Sequence, residues 1–335
     1  MNVSDKSLTL NVGLTAAITI TIFASCLLGT QDLAFGEVIK ALMGGGDSNT
    51  SLIIWQIRLP RALAALMVGI ALGASGAALQ GLLRNPLAEP GVLGVSASAS
   101  LFATFAIYWG LVSLSPWLLP VATIAGALLA TLFLALVAPR VGSVLTLVLI
   151  GVGLSSLAGA LMSLLINLAP NPFSVADMVT WMMGSVANRS FLILAFAGPF
   201  WVVGLIFLAV AAPGLRALAL GEEAARAVGL NISVSRALVV IGAGLTTGAA
   251  VSIAGAVGFV GIIAPHIVRP FVGYDPARTV LPSALLGGLI LMLADCLARL
   301  VPTDQELKLG VVAALIGAPL FILIAARRQA LGMQT

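Results

Sequence analysis

Charge is scarce in this chain: 335 residues carry 16 Lys and Arg, 12 Asp and Glu, and one histidine, so 8% are charged. With 60% hydrophobic residues, a soluble fold of this length would lack the polar surface to stay dissolved. Cysteine stops at two, Cys26 and Cys296, far apart and both in or near apolar runs. They read as small buried side chains rather than a disulfide or metal pair. The one histidine, His266 in APHIVR, has no Cys or acidic neighbour, which favours a structural hydrogen bond over metal binding. No G-x-x-x-x-G-K-[ST] loop is present, so the chain has no evident cradle for nucleotide phosphates. An intramembrane protease or lipid transferase needs a nucleophile and base, or metal ligands, at membrane depth, and these scattered groups form no such constellation. A secondary transporter needs paired intramembrane acids, and Asp295 is the only acid deep in an apolar run.

What the chain has instead is apolar length. From Ile54 to Val95 it reads IWQIRLPRALAALMVGIALGASGAALQGLLRNPLAEPGVLGV. A charged RLPR entry leads into about 20 nearly uncharged residues, the length of an α-helix crossing the hydrocarbon core. An Arg-Asn-Pro turn ends the run and another begins at once. Recurrence of this pattern predicts an all-α polytopic membrane protein with about ten spans. They fall near 11–29, 61–82, 91–111, 116–138, 143–168, 191–211, 235–255, 257–271, 280–297 and 309–326. Residues 1–335 form one transmembrane domain in this reading, and Leu10 to Leu28 is a permanent span rather than a cleaved leader. Small residues such as Gly69, Gly73 and Gly76 allow close helix approach in lipid. Pro86, Pro90 and Pro265 are expected to break or start helices, Asn85 and Ser96 to cap them, and Glu89 to lie at the interface.

Orientation follows from Lys and Arg, which are retained on the cytoplasmic side. A cytoplasmic N-terminus puts Lys6, Arg84, Arg140, Arg216, Arg226, Arg236, Arg269, Arg278, Arg327 and Arg328 inside, and Lys40, Arg58, Arg61, Arg189, Arg299 and Lys308 outside. The net charge of +4, divided among loops, is therefore read as topology and not as a nucleic-acid footprint. Arg58, Arg61 and Arg299 sit at outer ends of spans, where they either meet an acidic partner or snorkel to lipid phosphates. Asp295 and Arg299 are four apart on one helical face, which suits an internal ion pair as well as a substrate or proton role.

The one long polar stretch on the predicted inside is Pro213 to Arg236. Leu215, Leu218, Leu220, Ala224, Ala225 and Val228 recur at helical spacing, while Glu222, Glu223 and Arg226 mark a polar face. Gly221 and Gly229 punctuate it into an expected pair of short helices. Such a pair either rests at the membrane interface or docks a soluble partner.

These residues carry a family resemblance. RLPR at Arg58–Arg61, SGAALQ at Ser75–Gln80, RNPLAEPGVLG at Arg84–Gly94 and WMMGS at Trp181–Ser185 are followed by LALGEEAARAVGL at Leu218–Leu230 and GAVGFVGIIAPHIVR at Gly255–Arg269. LPSALLGG, AD and ELKLGVVAALIGAPLF complete the order up to Phe321, with Lys308 standing where many relatives have proline. The chain resembles the FecCD-type permease subunits of binding-protein-dependent ABC importers for iron chelates, haem and cobalamin. The resemblance implies a ten-helix subunit of a homodimer in the bacterial inner membrane, with both termini cytoplasmic. It implies two ATP-binding partners that hold ATP and Mg, a periplasmic substrate-binding protein, and no cofactor on this chain. ATPase coupling falls on Leu218, Leu220, Gly221, Glu222, Glu223, Ala225, Arg226 and Gly229, and binding-protein docking on Arg58, Arg61 and Arg299. The path follows the second, fifth, eighth and tenth spans, with Ser75, Gln80, Met162, Asn167 and Met178 as wall residues. Family prevalence makes an iron chelate the first cargo expectation and cobalamin the alternative.

Overall fold

The computed structural model describes residues 3–29, 31–138, 140–141, 144–301 and 306–330; the side chains of Arg327 and Arg328 lie outside the described set. All regular elements among these residues are helical. The chain opens with α1 (Val3–Leu27), two short helices α2 (Phe35–Leu42) and α3 (Ser48–Leu52), and a π turn at Ile53–Arg58 that runs into α4 (Leu59–Leu83). A 3-10 turn at Pro90–Leu93 leads to α5 (Val95–Tyr108), α6 (Leu111–Leu114), α7 (Leu118–Val137), α8 (Val144–Asn167) and α9 (Pro172–Met182). Then follow α10 (Phe191–Ala219), α11 (Glu222–Ala227), α12 (Ile232–Ala254), α13 (Val260–Val268), α14 (Pro276–Leu300) and α15 (Leu309–Ala330). Seven helices (α1, α4 with α3, α7, α8, α10, α12 and α14) are long and apolar enough to cross a membrane, and α5, α13 and α15 are shorter apolar helices. These occupy the ten expected places.

Helix α4 is the buried mast of the bundle, packed against α14, α12, α10 and α13. Its sequence explains why. Gly69 and Gly73 lie against the backbone of α14, where an added methyl group would overlap the carbonyls of Gly287 and Ser283. In lipid, where no hydrophobic drive separates helices from solvent, such backbone-to-backbone contact is a main source of association. By contrast α8 buries only a narrow stripe, including Leu147, Ala158 and Met162, while Leu145, Leu149, Val152, Leu157, Leu161 and Leu164 are exposed. Exposed leucines and valines also cover α7 and α10, a surface suited to hydrocarbon and not to water.

Two local expectations change. Pro265 sits inside α13 without ending it. Ser96 is within the first turn of α5, whose N-cap is Gly94, so it caps nothing. Asn85 caps its own turn, accepting from Leu87 N–H at 2.9 Å, and Pro90 opens the 3-10 turn as expected.

Candidate functional site

The α10–α12 end of the bundle carries the polar segment. Helix α10 continues through Pro213 to Ala219, so the expected pair of short helices is one long helix plus the short α11. The PG dipeptide does not stop it, because the chain around it packs inward: Leu215 and Leu218 are buried. Gly221 then turns the chain with φ +105°, a conformation that a Cβ strongly disfavours. Glu222 at the start of α11 accepts from Arg236 of α12 at 2.5 Å and pairs with Arg226 at 3.5 Å. Ala225 is buried beneath the helix, while Leu220 and Val228 are 78% and 73% exposed. Glu223, Arg226 and Gly229 face outward with them. The eight coupling residues therefore split into inward anchors (Leu218, Ala225), a half-buried ionic strut (Glu222), and an outward surface to which Val228 must be added.

A second strut ties this end to α14. Arg216 pairs with Asp275 at 2.7 Å, and Asp275 caps α14 by accepting from Ala277 N–H at 2.9 Å. Burial pushes the Asp275 carboxyl up, but the Arg216 guanidinium and the two capped N–H groups outweigh it and hold the carboxyl below its usual range. Its spacing from Arg216 along the chain hides this contact from sequence reading.

At the opposite end, Arg58, Arg61, Arg299 and Glu306 converge on a cavity of about 330 Å³. The three arginines are not free rim cations. Arg58, 4% exposed, donates to the carbonyls of Cys26, Leu27 and Gln31 at 2.8, 2.9 and 2.5 Å. It satisfies carbonyls left open at the C-terminus of α1. Asp295, 2% exposed, receives Arg61 at 2.8 Å and Arg299 at 3.0 Å. Arg299 also donates to the carbonyls of Ser25 and Leu28 at 3.1 Å, and Arg61 reaches Glu306 at 2.7 Å. The three-way salt bridge joins α4 to α14, and the carbonyl bonds of Arg299 tie α1 to them. Direct docking by all three arginines is at odds with this geometry; of these four residues Glu306 is exposed and Arg61 is the least buried of the arginines.

The proposed wall residues separate as well. Ser75 is fully buried and donates to Ala71 O at 2.7 Å. Gln80, 2% exposed, donates to the carbonyls of Ala88 and Gly261 and accepts from Arg269 at 2.6 Å. Met178 is fully buried and Met162 is buried at 8%; Asn167 alone is exposed. Polar side chains inside an apolar run look like pathway candidates in sequence, but here Ser75 and Gln80 bond the bundle's own backbone. Glu89, partly buried, accepts from Phe259 N–H at 3.3 Å, where α13 begins. Phe259 takes a left-handed φ of +68° there.

This architecture has known counterparts. The sequence matches the FecCD transport family across residues 17–327. The chain belongs to that family. It is 40% identical over 316 residues, 93% of each chain, to the vitamin B12 import system permease protein BtuC of Salmonella typhi. The corresponding permease of Salmonella newport (strain SL254) gives the same identity and coverage. A solved structure of an inward-facing metal-chelate type ABC transporter is 33% identical, with a TM-score of 0.86, covering 95% of this chain and 99% of that one. This FecCD-family chain is thus the permease subunit of an ABC importer, a multi-pass inner-membrane protein whose ATP is hydrolysed on a separate subunit.

Proposed function

We propose that this permease carries cobalamin across the inner membrane. The observation that supports the cargo is identity with vitamin B12 permeases at 40% along 93% of the chain, against 33% for the metal-chelate transporter. The iron-chelate expectation came from family prevalence and gives way to this nearer likeness. The working unit is a homodimer whose second copy covers part of the apolar face of α8. Two ATP-binding subunits seat on Leu220, Glu223, Arg226 and Val228, with Gly221 and Gly229 setting the turn geometry and Glu222 passing force to α12 through Arg236.

Both termini face the cytoplasm in this reading. Among the described residues, exposed cations at the α10–α12 end are Lys6, Arg84, Arg140, Arg216, Arg226 and Arg278, whereas Lys40 is the exposed one at the other end. The outer arginines that blunt the sequence count are half-buried or buried in ion pairs and carbonyl caps, so exposed positive charge among the described residues is one-sided. A periplasmic binding protein then docks over the Arg61–Glu306 rim, with Arg58 and Arg299 holding the platform. Ligand binding by the cognate binding protein, offered cobalamin, a ferric siderophore and haem side by side, tests the cargo. Cobalamin is expected to bind; preference for haem or the siderophore overturns the assignment.

A further inference from the structure

A cavity of about 790 Å³ lies at the outer end of the bundle, outside every site described above. Its wall comes from the ends of α5, α7 and α12, from α9, and from the segment that enters α10. Two charged residues line it, Asp177 on α9 and Arg189 before α10. Arg189 is fixed in place: Nε donates to the carbonyl of Ile253, Nη2 to that of Ser185 at 3.4 Å, and the guanidinium carbon lies 5.5 Å from the Trp181 ring centre. That leaves Nη1 without an acceptor among the described residues. Asp177 is exposed and makes no hydrogen bond or ion pair among them. The two charges share one cavity without meeting. Ser113, Ser174 and Thr180 add hydroxyl groups that donate or accept.

A fixed donor and a free acceptor that line one cavity together select its guest. A carboxylate would satisfy Arg189 but meet the charge of Asp177; an alkyl group would leave both charges unpaired. A primary carboxamide satisfies both, its carbonyl accepting from Arg189 Nη1 and its NH₂ donating to Asp177. Corrinoids carry such carboxamide arms around the macrocycle and exceed the cavity in size, so an arm enters and the ring stays outside. We propose that this cavity is a cargo-reading subsite that takes a carboxamide arm of the corrinoid as it leaves the binding protein, an inference that rests on the cobalamin reading.

The test uses the whole complex in vesicles, with permease, ATPase and binding protein. Initial uptake is compared for cobalamin and for each cobalamin monocarboxylate, made by hydrolysing one carboxamide. Wild type is expected to prefer cobalamin over at least one monocarboxylate by about tenfold, the lower value of one charge-assisted hydrogen bond. Asp177→Asn is expected to lower that ratio severalfold, toward the selectivity of the binding protein alone. The ratio is internal to each preparation, so loss of folded protein cancels, and the binding protein's own selectivity is common to both. If the ratios for all monocarboxylates are the same in wild type and D177N, the subsite is overturned while the cobalamin reading stands. If the wild-type complex imports a ferric chelate and no corrinoid, both fall.

Discussion

Asp295→Asn is the perturbation that most directly probes how the outer end is held. The carboxylate is 2% exposed and balances two guanidinium groups that are 12% and 6% exposed. Arg61 approaches it with Nε at 3.0 Å and Nη2 at 2.8 Å, and Arg299 with Nη2 at 3.0 Å. The amide keeps the shape and removes the charge, leaving two buried cations facing each other with Glu306 as the remaining nearby acid among the described residues. Removing one partner of a buried pair costs about 3–5 kcal/mol, because the desolvation of what remains is no longer offset. Arg61 retains Glu306, so the lower half of that range is expected. The assay is an equilibrium unfolding titration of the purified permease in mixed detergent, read by helicity. A second variant, Asp295→Asn with Arg61→Gln, removes one stranded cation and should recover part of the loss, giving a coupling of about 1–3 kcal/mol. A D295N protein within about 1 kcal/mol of wild type, the ordinary value of an exposed pair, would refute the claim that this salt bridge holds α4 to α14.

Two further outcomes follow from the geometry. Gly73→Leu should prevent α4 from seating on α14, because the new side chain would occupy the position of the Ser283 carbonyl; reduced yield of monodisperse permease checks this, and a normally folded G73L protein speaks against the contact. At the other end, Leu220→Asp combined with Glu223→Lys should leave the permease folded, since both side chains are exposed, yet lower co-purification of the ATPase by about tenfold or more; undiminished capture would remove this surface from coupling.

The parts legible in the sequence were those governed by one-dimensional pattern. Twenty-residue apolar runs separated by charged or Pro/Gly turns announce spans regardless of how they pack, so all ten places emerged. The polar segment around Glu222 was legible for the same reason, since amphipathic spacing is local; its continuation of α10 through Pro213 was not, because burial of Leu215 and Leu218 overrides the turn signal. Intramembrane polar side chains were misleading for a physical cause. A hydroxyl or amide inside lipid is costly unless bonded, and that cost is met either by water in a path or by neighbouring backbone. Ser75 and Gln80 took the second route, which sequence alone does not distinguish from the first. The Asp295–Arg299 pair was visible as an i, i+4 spacing, but Arg61 lies 234 residues from Asp295, and only the fold brings it there. In the sequence Arg189 is one outer cation among six, and Asp177 carries no signal. Their importance lies in facing a common cavity without pairing, a relation between two side chains that no local spacing encodes. The same logic sorts the outer arginines: Arg58, Arg61 and Arg299 direct their donors to internal carbonyls and carboxylates and hold the platform, whereas Arg189 Nη1 has no acceptor among the described residues and lies beside a cavity, where the proposed cargo group would add a bond rather than break one.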